Sequence, residues 1–231
     1  MPIRCIGCLK YIDFEPGPIC QQCLLNIPVN NSLLCPICQQ RLIIHQNELI
    51  QCPTHKHQSS LPFLACATSF NHHRTQKLIH LFKYKNLKSC APPLSQIIMR
   101  YLEQIKLEKL IDFKDWAIVP IPLTKNKLRQ RGYNQSEIIG TLISNQIKML
   151  IIQNALIKTK ESRPQAQTKT KIERIENVKN SFGIQNNALI KNKKIILLDD
   201  VITTGSTISE AARALKKAGA SDIVGLTIAL G

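Results

Sequence analysis

Two adjacent carboxylates, Asp199 and Asp200, stand at the end of an apolar run and shortly before a loop rich in hydroxyl groups. This phosphate loop consists of Thr203, Thr204, Gly205, Ser206 and Thr207. Hydroxyls and the N–H groups at a helix start favour an anion, and Gly205 lets the backbone approach it closely. Carboxylates beside such a loop suit a ligand that also offers hydroxyl groups or a metal ion. These residue types predict a site for a ribose 5-phosphate.

A second set of reactive residues, seven cysteines and a histidine, lies near the N-terminus. Three Cys-x-x-Cys pairs and one Cys-Pro-Thr-His pair follow one another at zinc-ribbon intervals. A disulfide framework is the alternative, but it requires a secretory context that the sequence lacks. Sequential pairing predicts two structural zinc sites, a first cluster of Cys5, Cys8, Cys20 and Cys23 and a second cluster of Cys35, Cys38, Cys52 and His55. In the second cluster His57 could replace His55, or the fourth ligand could be missing.

The predicted sugar-phosphate site needs a strand before it and a helix after it. Residues 195–198 are apolar on both faces, which is typical of a central strand in a parallel sheet. Residues 208–218 form an Ala-rich helical segment that Gly219 closes. Because open α/β sheets bind ligands at the carboxyl ends of their strands, Asp199 and Asp200 are expected at a binding edge.

A basic run after another predicted strand could bind a second phosphate group. Residues 116–123 predict a strand that two prolines end. The run that follows carries four cations, namely Lys125, Lys127, Arg129 and Arg131. A cationic turn beside a strand end is suited to a pyrophosphate.

The remaining pattern predicts an α/β protein in two parts. The further elements are helices over 75–84, 94–110 and 134–148 and strands over 61–70, 156–160 and 221–230. We predict a double zinc ribbon at residues 1–60 and an α/β domain, a parallel sheet flanked by helices, at residues 61–231. Metal binding is expected to supply most of the folding free energy of the ribbon, and the two parts are expected to bury separate interiors.

The positive charge of the chain is concentrated in its middle. The formal net charge is +16, and residues 61–194 carry 24 Lys and Arg against 8 Asp and Glu. Such a field attracts polyanions. The start of the sequence shows no apolar signal region, and no stretch reaches the length of a membrane span. We therefore expect a cytoplasmic protein without membrane contact.

The segment around Asp199 and Asp200 resembles the motif with which type I phosphoribosyltransferases bind 5-phosphoribosyl-1-pyrophosphate (PRPP). It has four apolar residues, two acids and then Thr-Thr-Gly-Ser-Thr. The resemblance implies that the two acids hold the ribose 2- and 3-hydroxyls and that the phosphate loop holds the 5-phosphate. Mg²⁺ would bridge the pyrophosphate and the ribose hydroxyls, and Lys or Arg would stabilise the pyrophosphate.

A longer resemblance covers nearly the whole chain. Val-Pro-Ile-Pro at 119–122, the basic run, Arg-Gly-Tyr-Asn-Gln at 131–135 and the double zinc ribbon are similar to the ComF family, competence-associated proteins built on a phosphoribosyltransferase domain. The resemblance implies a flexible loop that closes over the substrate, on which Gln167, Arg174 and Asn177 match the family pattern. It also implies a part in natural transformation, the uptake and processing of single-stranded DNA. Other competence or DNA-processing proteins are candidate partners of the zinc module.

Two hypotheses for function follow, and we favour the first. In the first, the protein binds PRPP or a related ligand and handles single-stranded DNA. Cations would follow the DNA phosphates and tyrosine rings would stack on bases, with Lys83, Tyr84, Lys85 and Tyr133 as the predicted contacts. The alternative is an active phosphoribosyltransferase that displaces pyrophosphate from PRPP, although the sequence shows no recognisable acceptor site. Pyrophosphate release distinguishes the two.

Overall fold

The computed structural model of the chain describes residues 3–12, 17–45, 48–50, 52–55, 59–160 and 178–231. The predicted loop residues Gln167, Arg174 and Asn177 lie outside the described residues, as does the alternative ligand His57. Their roles stay predictions.

The N-terminal part is built from short elements, and the longer helices and strands follow it. The first part contains β1 (Ile3–Arg4), β2 (Tyr11–Ile12), α1 (Gln21–Leu25), β3 (Leu33–Leu34), β4 (Arg41–His45) and β5 (Glu48–Ile50). The second part contains β6 (Leu64–Ser69), α2 (His73–Tyr84), α3 (Ala91–Gln104), β7 (Trp116–Pro120), α4 (Lys125–Arg131), α5 (Gln135–Ile147), β8 (Leu150–Ile151), β9 (Leu156–Lys158), β10 (Phe182–Ile184), β11 (Lys194–Ile202), α6 (Ser206–Lys217) and β12 (Asp222–Leu230). Within the described residues no helix is both long and apolar enough to cross a membrane.

A mostly parallel sheet forms the centre of the molecule. Its strand order is β5-β4-β3-β6-β12-β11-β7-β8. The pairs from β6 to β8 are parallel, whereas β3, β4 and β5 continue the sheet in antiparallel pairs. The predicted α/β fold with a parallel sheet is therefore confirmed. Strand β11 lies in the middle of the parallel part, so its carboxyl end opens at the centre of the sheet edge.

Apolar helix faces cover both sides of this sheet. Leu78 of α2, Leu94 of α3 and Ile139 of α5 belong to one buried cluster, and Ile208 and Leu215 of α6 belong to the other. Burying such side chains contributes about 1.5–3 kcal/mol each, which holds the helices against the sheet. The strand edge that carries the predicted site is thereby fixed from both faces.

The expectation that the two parts bury separate interiors is wrong. Ile19, Leu24 and Ile27 of the N-terminal part are buried in the same cluster as Leu78 and Leu94. In addition, the guanidinium of Arg100 donates to the carbonyl oxygens of Leu24 at 3.0 Å and Ile27 at 3.2 Å. The two parts share one interior, because buried apolar side chains of the N-terminal part join the cluster that contains the apolar faces of α2 and α3.

Two predicted elements differ from those observed. The helix predicted over 94–110 is α3, which ends at Gln104, because Lys106 adopts a left-handed φ of 52° and breaks the α-helical path. The basic run predicted as a turn is the short helix α4. Its first turn is capped by Thr124, whose hydroxyl accepts from the N–H of Lys127 at 3.4 Å.

Candidate functional site

The carboxylates Asp199 and Asp200 lie in the last part of β11, where the strand continues to Ile202. Successive residues of a strand point to opposite faces, so the two side chains have different neighbours. Asp200 is buried, and its Oδ1 lies 2.8 Å from Nζ of Lys83 on α2. The backbone N–H of Asp200 donates to Oδ1 of Asp199 at 2.9 Å. Lys83 therefore belongs to the carboxylate site, which its neighbours in sequence do not suggest.

Electrostatics single out Asp199 within this pair. Burial and the nearby charge of Asp200 raise the pKa of Asp199 to about 6, although Lys83 and Lys158 act in the opposite direction. Burial, and then the charge of Lys127, lowers the pKa of Lys158. A pKa this high means that the fold disfavours the ionised form of Asp199. Such a carboxylate is typical of a binding site whose ligand brings a cation or hydroxyl donors to it.

Lysines from three separate elements surround the two carboxylates. They are Lys83 of α2, Lys127 of α4 and Lys158 of β9. Burial, and then repulsion from Arg131 and Lys83, lowers the pKa of Lys127, while both aspartates partly offset this. Sequence reasoning missed Lys158 because nothing local marks it: it sits in an ordinary short strand. The site can therefore offer cations to an anionic group beside the two carboxylates.

The phosphate loop makes a tight turn into α6. Gly205 has a left-handed φ of 75° and precedes Ser206, the first residue of the helix. The hydroxyls of Thr204 and Ser206 are 2.9 Å apart, and the loop lines a small concavity together with Asp199. Among the described residues, the buried hydroxyl of Thr203 has no hydrogen-bond partner. An unsatisfied buried hydroxyl beside a helix N-terminus suits an anionic ligand.

The predicted basic run lies at the same edge of the sheet as the two carboxylates. Lys125 and Arg129 on α4 are exposed, Lys127 interacts with the two aspartates, and Arg131 donates to Oε1 of Gln135 at 2.9 Å. Arg131 also lies over the ring of Tyr84, 5.5 Å from its centroid. The helix therefore presents exposed cations, Lys125 and Arg129, and an anchored cation at its end.

The two predicted stacking tyrosines lie in different environments. Tyr84 is 63% exposed, whereas Tyr133 is 7% exposed and its hydroxyl donates to the carbonyl oxygen of Phe82 at 2.5 Å. The prediction that the Tyr133 ring is available for bases is wrong, because that ring packs against Phe82 at 5.2 Å between centroids. Lys85 is exposed beside Tyr84.

A cavity of about 680 Å³ opens beside the carboxylate site. Its lining includes Phe70, His80, Lys83, Tyr84, Val201 and Thr203. Aromatic rings therefore line part of the cavity, together with Lys83, which contacts Asp200, and Thr203 of the phosphate loop. None of the described lining residues is acidic. This surface can accept a planar, anionic molecule next to the carboxylate site.

The predicted zinc ligands come together in two groups. Each group places one ligand atom per residue within 4.8 Å of the others: Cys5, Cys8, Cys20 and Cys23 in the first, and Cys35, Cys38, Cys52 and His55 in the second. The backbone N–H groups of Gly7 and Cys20 donate to Sγ of Cys5 at 3.3 Å. Such donors stabilise a thiolate, the form that binds zinc.

One thiol in each group has a lowered pKa, whereas burial raises the pKa of Cys23 and of Cys38. A hydrogen bond from His55 is the main cause that lowers the pKa of Cys52 to about 6. Burial opposes the same change at Cys5, but backbone N–H donors lower its pKa to about 6. Four soft ligands without a vacant position suit structural zinc, so both groups can hold it, and the residues fit the role predicted for them.

Part of the chain, including the candidate site, is similar to a known domain family. A model of the family described as "Phosphoribosyl transferase domain" matches residues 136–230, which include β11, the phosphate loop and α6. The match begins at α5 and ends at the last strand.

The chain is also similar to proteins from three bacteria. The chain is 30% identical to "Competence protein F" of Haemophilus influenzae over 63% of each chain. It is 24% identical to "DNA utilization protein YhgH" of Escherichia coli K12, over 90% of this chain and 94% of that one. It is 34% identical to "Competence protein ComFC" of Streptococcus pneumoniae, over 50% of this chain and 49% of that one. These homologues confirm the predicted resemblance to the ComF family.

Proposed function

We propose that the protein binds PRPP, or a closely related phosphoribosyl ligand, at the carboxyl end of β11. The observation that carries the proposal is the convergence at one strand end of two carboxylates, a left-handed glycine turn and the buried Thr203 hydroxyl, which has no partner in the described part of the chain. Asp199 and Asp200 accept the ribose hydroxyls, and the N–H and hydroxyl groups of residues 203–207 hold the 5-phosphate.

The pyrophosphate of the ligand would meet the lysines around the carboxylates. Lys127 and Lys158 interact with Asp199, and Lys83 contacts Asp200, so added negative charge at this place is compensated. The carboxylate oxygens of Asp199 and Asp200 are hard ligands of the type that Mg²⁺ prefers. When bound, Mg²⁺ would neutralise pyrophosphate charge, while the lysines orient it.

We also propose that the protein handles single-stranded DNA in competence. The names of its homologues, "Competence protein F" and "DNA utilization protein YhgH", support this role. The basic middle of the chain and the cavity beside Tyr84 support it physically, since cations attract phosphates and exposed rings stack on bases. The proposed DNA face includes Lys85, Lys125 and Arg129, all exposed.

Fluorescence anisotropy of a labelled oligonucleotide tests the DNA proposal. Single-stranded DNA should bind more tightly than duplex, and its affinity should fall as salt rises. Combined replacement of Lys125, Lys127, Arg129 and Arg131 by Ala should flatten the salt dependence. An oligonucleotide affinity that changes neither with salt concentration nor with these replacements would refute the DNA role. If Arg129 and Arg131 also serve the pyrophosphate, PRPP should compete with the oligonucleotide.

The second candidate is catalysis of pyrophosphate displacement. It is favoured by the cavity next to the sugar position, which has room for an acceptor. A coupled assay of pyrophosphate release from PRPP, with and without oligonucleotide, decides between the two. Release that depends on an added acceptor and on Asp199 establishes the enzyme, whereas binding without release supports a ligand-binding role.

A further inference from the structure

We propose that Gln39, next to the second metal cluster, positions the phosphate loop, so that metal binding at this cluster raises the affinity for the phosphoribosyl ligand. The amide Nε2 of Gln39 donates to the carbonyl oxygen of Thr203 at 2.6 Å, between residues 164 positions apart. This inference rests on the proposed function, and it adds a residue outside the phosphoribosyltransferase motif to the site.

The metal-binding turn fixes the position of Gln39. Its backbone N–H donates to the carbonyl oxygen of Cys35 at 2.9 Å, and the N–H of Cys35 donates to Gln40 at 2.9 Å. Gln39 itself adopts a left-handed φ of 61°, which is unfavourable for a residue with a Cβ. A turn held at both ends by ligands, Cys35 and Cys38, keeps the residue in this conformation. The aim of the Gln39 side chain therefore depends on the integrity of the turn.

The first cluster provides an internal comparison. Leu9 follows Cys8 as Gln39 follows Cys38, with φ of 64° and an N–H that donates to Cys5 at 2.9 Å. Leu9 is 63% exposed. The same turn is therefore made twice, but only the second copy places its final residue against the phosphate loop.

The second turn also approaches the loop with its backbone. A Cβ added to Gly205 would lie 3.1 Å from the carbonyl oxygen of Pro36, which is tighter than most contacts of real Cβ atoms. Pro36 lies between Cys35 and Cys38, inside the metal-binding turn. The turn therefore contacts the loop at Gly205 as well as at Thr203, and it leaves little room for the loop to shift.

The Gln39 contact determines which way a loop N–H points. In a trans peptide the C=O and N–H groups point in opposite directions, and no described peptide bond is cis. Because the carbonyl of Thr203 points at Gln39, the N–H of Thr204 points away from the turn. That orientation makes it available to an anion in front of the loop. Without the Gln39 amide, the peptide between Thr203 and Thr204 can rotate. The loop then loses an N–H donor that is already oriented towards the anion.

Hydrogen exchange and calorimetry together test the proposal. Gln39→Met keeps the size and backbone of the residue but removes the amide donor, and Gln22→Met changes an exposed glutamine of α1 in the first cluster as the control. In Gln39→Met, exchange over residues 203–207 should rise, and PRPP affinity should fall about fivefold, the typical effect of one neutral hydrogen bond. Gln22→Met should change neither. Unaltered exchange in Gln39→Met would overturn the proposal.

Removal and re-addition of zinc test the coupling between the second metal cluster and PRPP binding. Zinc removal should weaken PRPP binding to the wild type, and zinc addition should restore it, with circular dichroism as the control for folding. The loss of PRPP affinity should be clearly smaller in Gln39→Met, because this variant already lacks the hydrogen bond between the turn and Thr203. Equal losses in both proteins would overturn the coupling. If the wild type binds no PRPP at all, the proposed function fails, while the exchange measurement still decides the role of Gln39.

Discussion

Asp199→Asn should make the protein more stable and at the same time unable to bind PRPP. Burial and the charge of Asp200 raise the pKa of Asp199 to about 6, so the folded state disfavours its ionised form. At low pH, Asp199 is protonated in both the folded and the unfolded state and does not reduce the free energy of unfolding. As pH rises from the pKa of Asp199 in the unfolded chain to about 6, its ionisation increasingly destabilises the folded state. At pH 8 the cost reaches at most about 3 kcal/mol, which asparagine removes. The Asn side chain keeps the oxygen that accepts from the N–H of Asp200.

Thermal unfolding at several pH values measures the effect. At pH 8 the variant should gain about 5 °C in Tm, the size expected for one to three kcal/mol in a chain of this length. The gain should shrink towards pH 4. Asp200→Asn is the matched control, and it should lose stability, because it removes the carboxylate that lies 2.8 Å from the ammonium of Lys83. A less stable Asp199→Asn protein at pH 8 would refute the electrostatic argument.

The remaining predictions concern pH, metal and DNA. PRPP affinity should rise with pH through about 6, as isothermal calorimetry can show, because the ligand hydroxyls and Mg²⁺ need Asp199 ionised; a flat profile would contradict this. Elemental analysis should find about two zinc ions per chain, one per four-ligand cluster, and Cys38→Ser should reduce this to about one. Tyr84→Ala should weaken oligonucleotide binding by about 1–3 kcal/mol in an anisotropy assay. Tyr11→Ala, which removes another exposed ring, should leave that affinity unchanged.

Local patterns predicted the parts of the site that are continuous in sequence. The apolar run before Asp199 predicted a strand, and it forms β11, although β11 continues through both carboxylates to Ile202. The Cys-x-x-Cys spacing likewise predicted both ligand groups. In both cases the signal lies within a few residues. The hydrophobic period is therefore sufficient to predict the strand, and the ligand spacing is sufficient to predict the metal groups.

Contacts between distant segments could not be predicted in this way. The neighbours Tyr84 and Lys85 favour a nucleic-acid face for Lys83, yet the Lys83 ammonium pairs with Asp200. Tyr133 follows a basic run and looked exposed, but the packing of α2 against its ring buries it. The Gln39 contact depends on the strands of the second cluster joining the sheet, which no local pattern reveals.

Calorimetric titration of PRPP with Mg²⁺ into the zinc-loaded protein tests the central claim most directly. The proposed site predicts one PRPP per chain in the wild type and no measurable binding in Asp199→Asn, whose fold is confirmed by its thermal transition. Absence of binding to the wild type, or equal binding to both proteins, would contradict the assignment of β11 and the phosphate loop as a phosphoribosyl site.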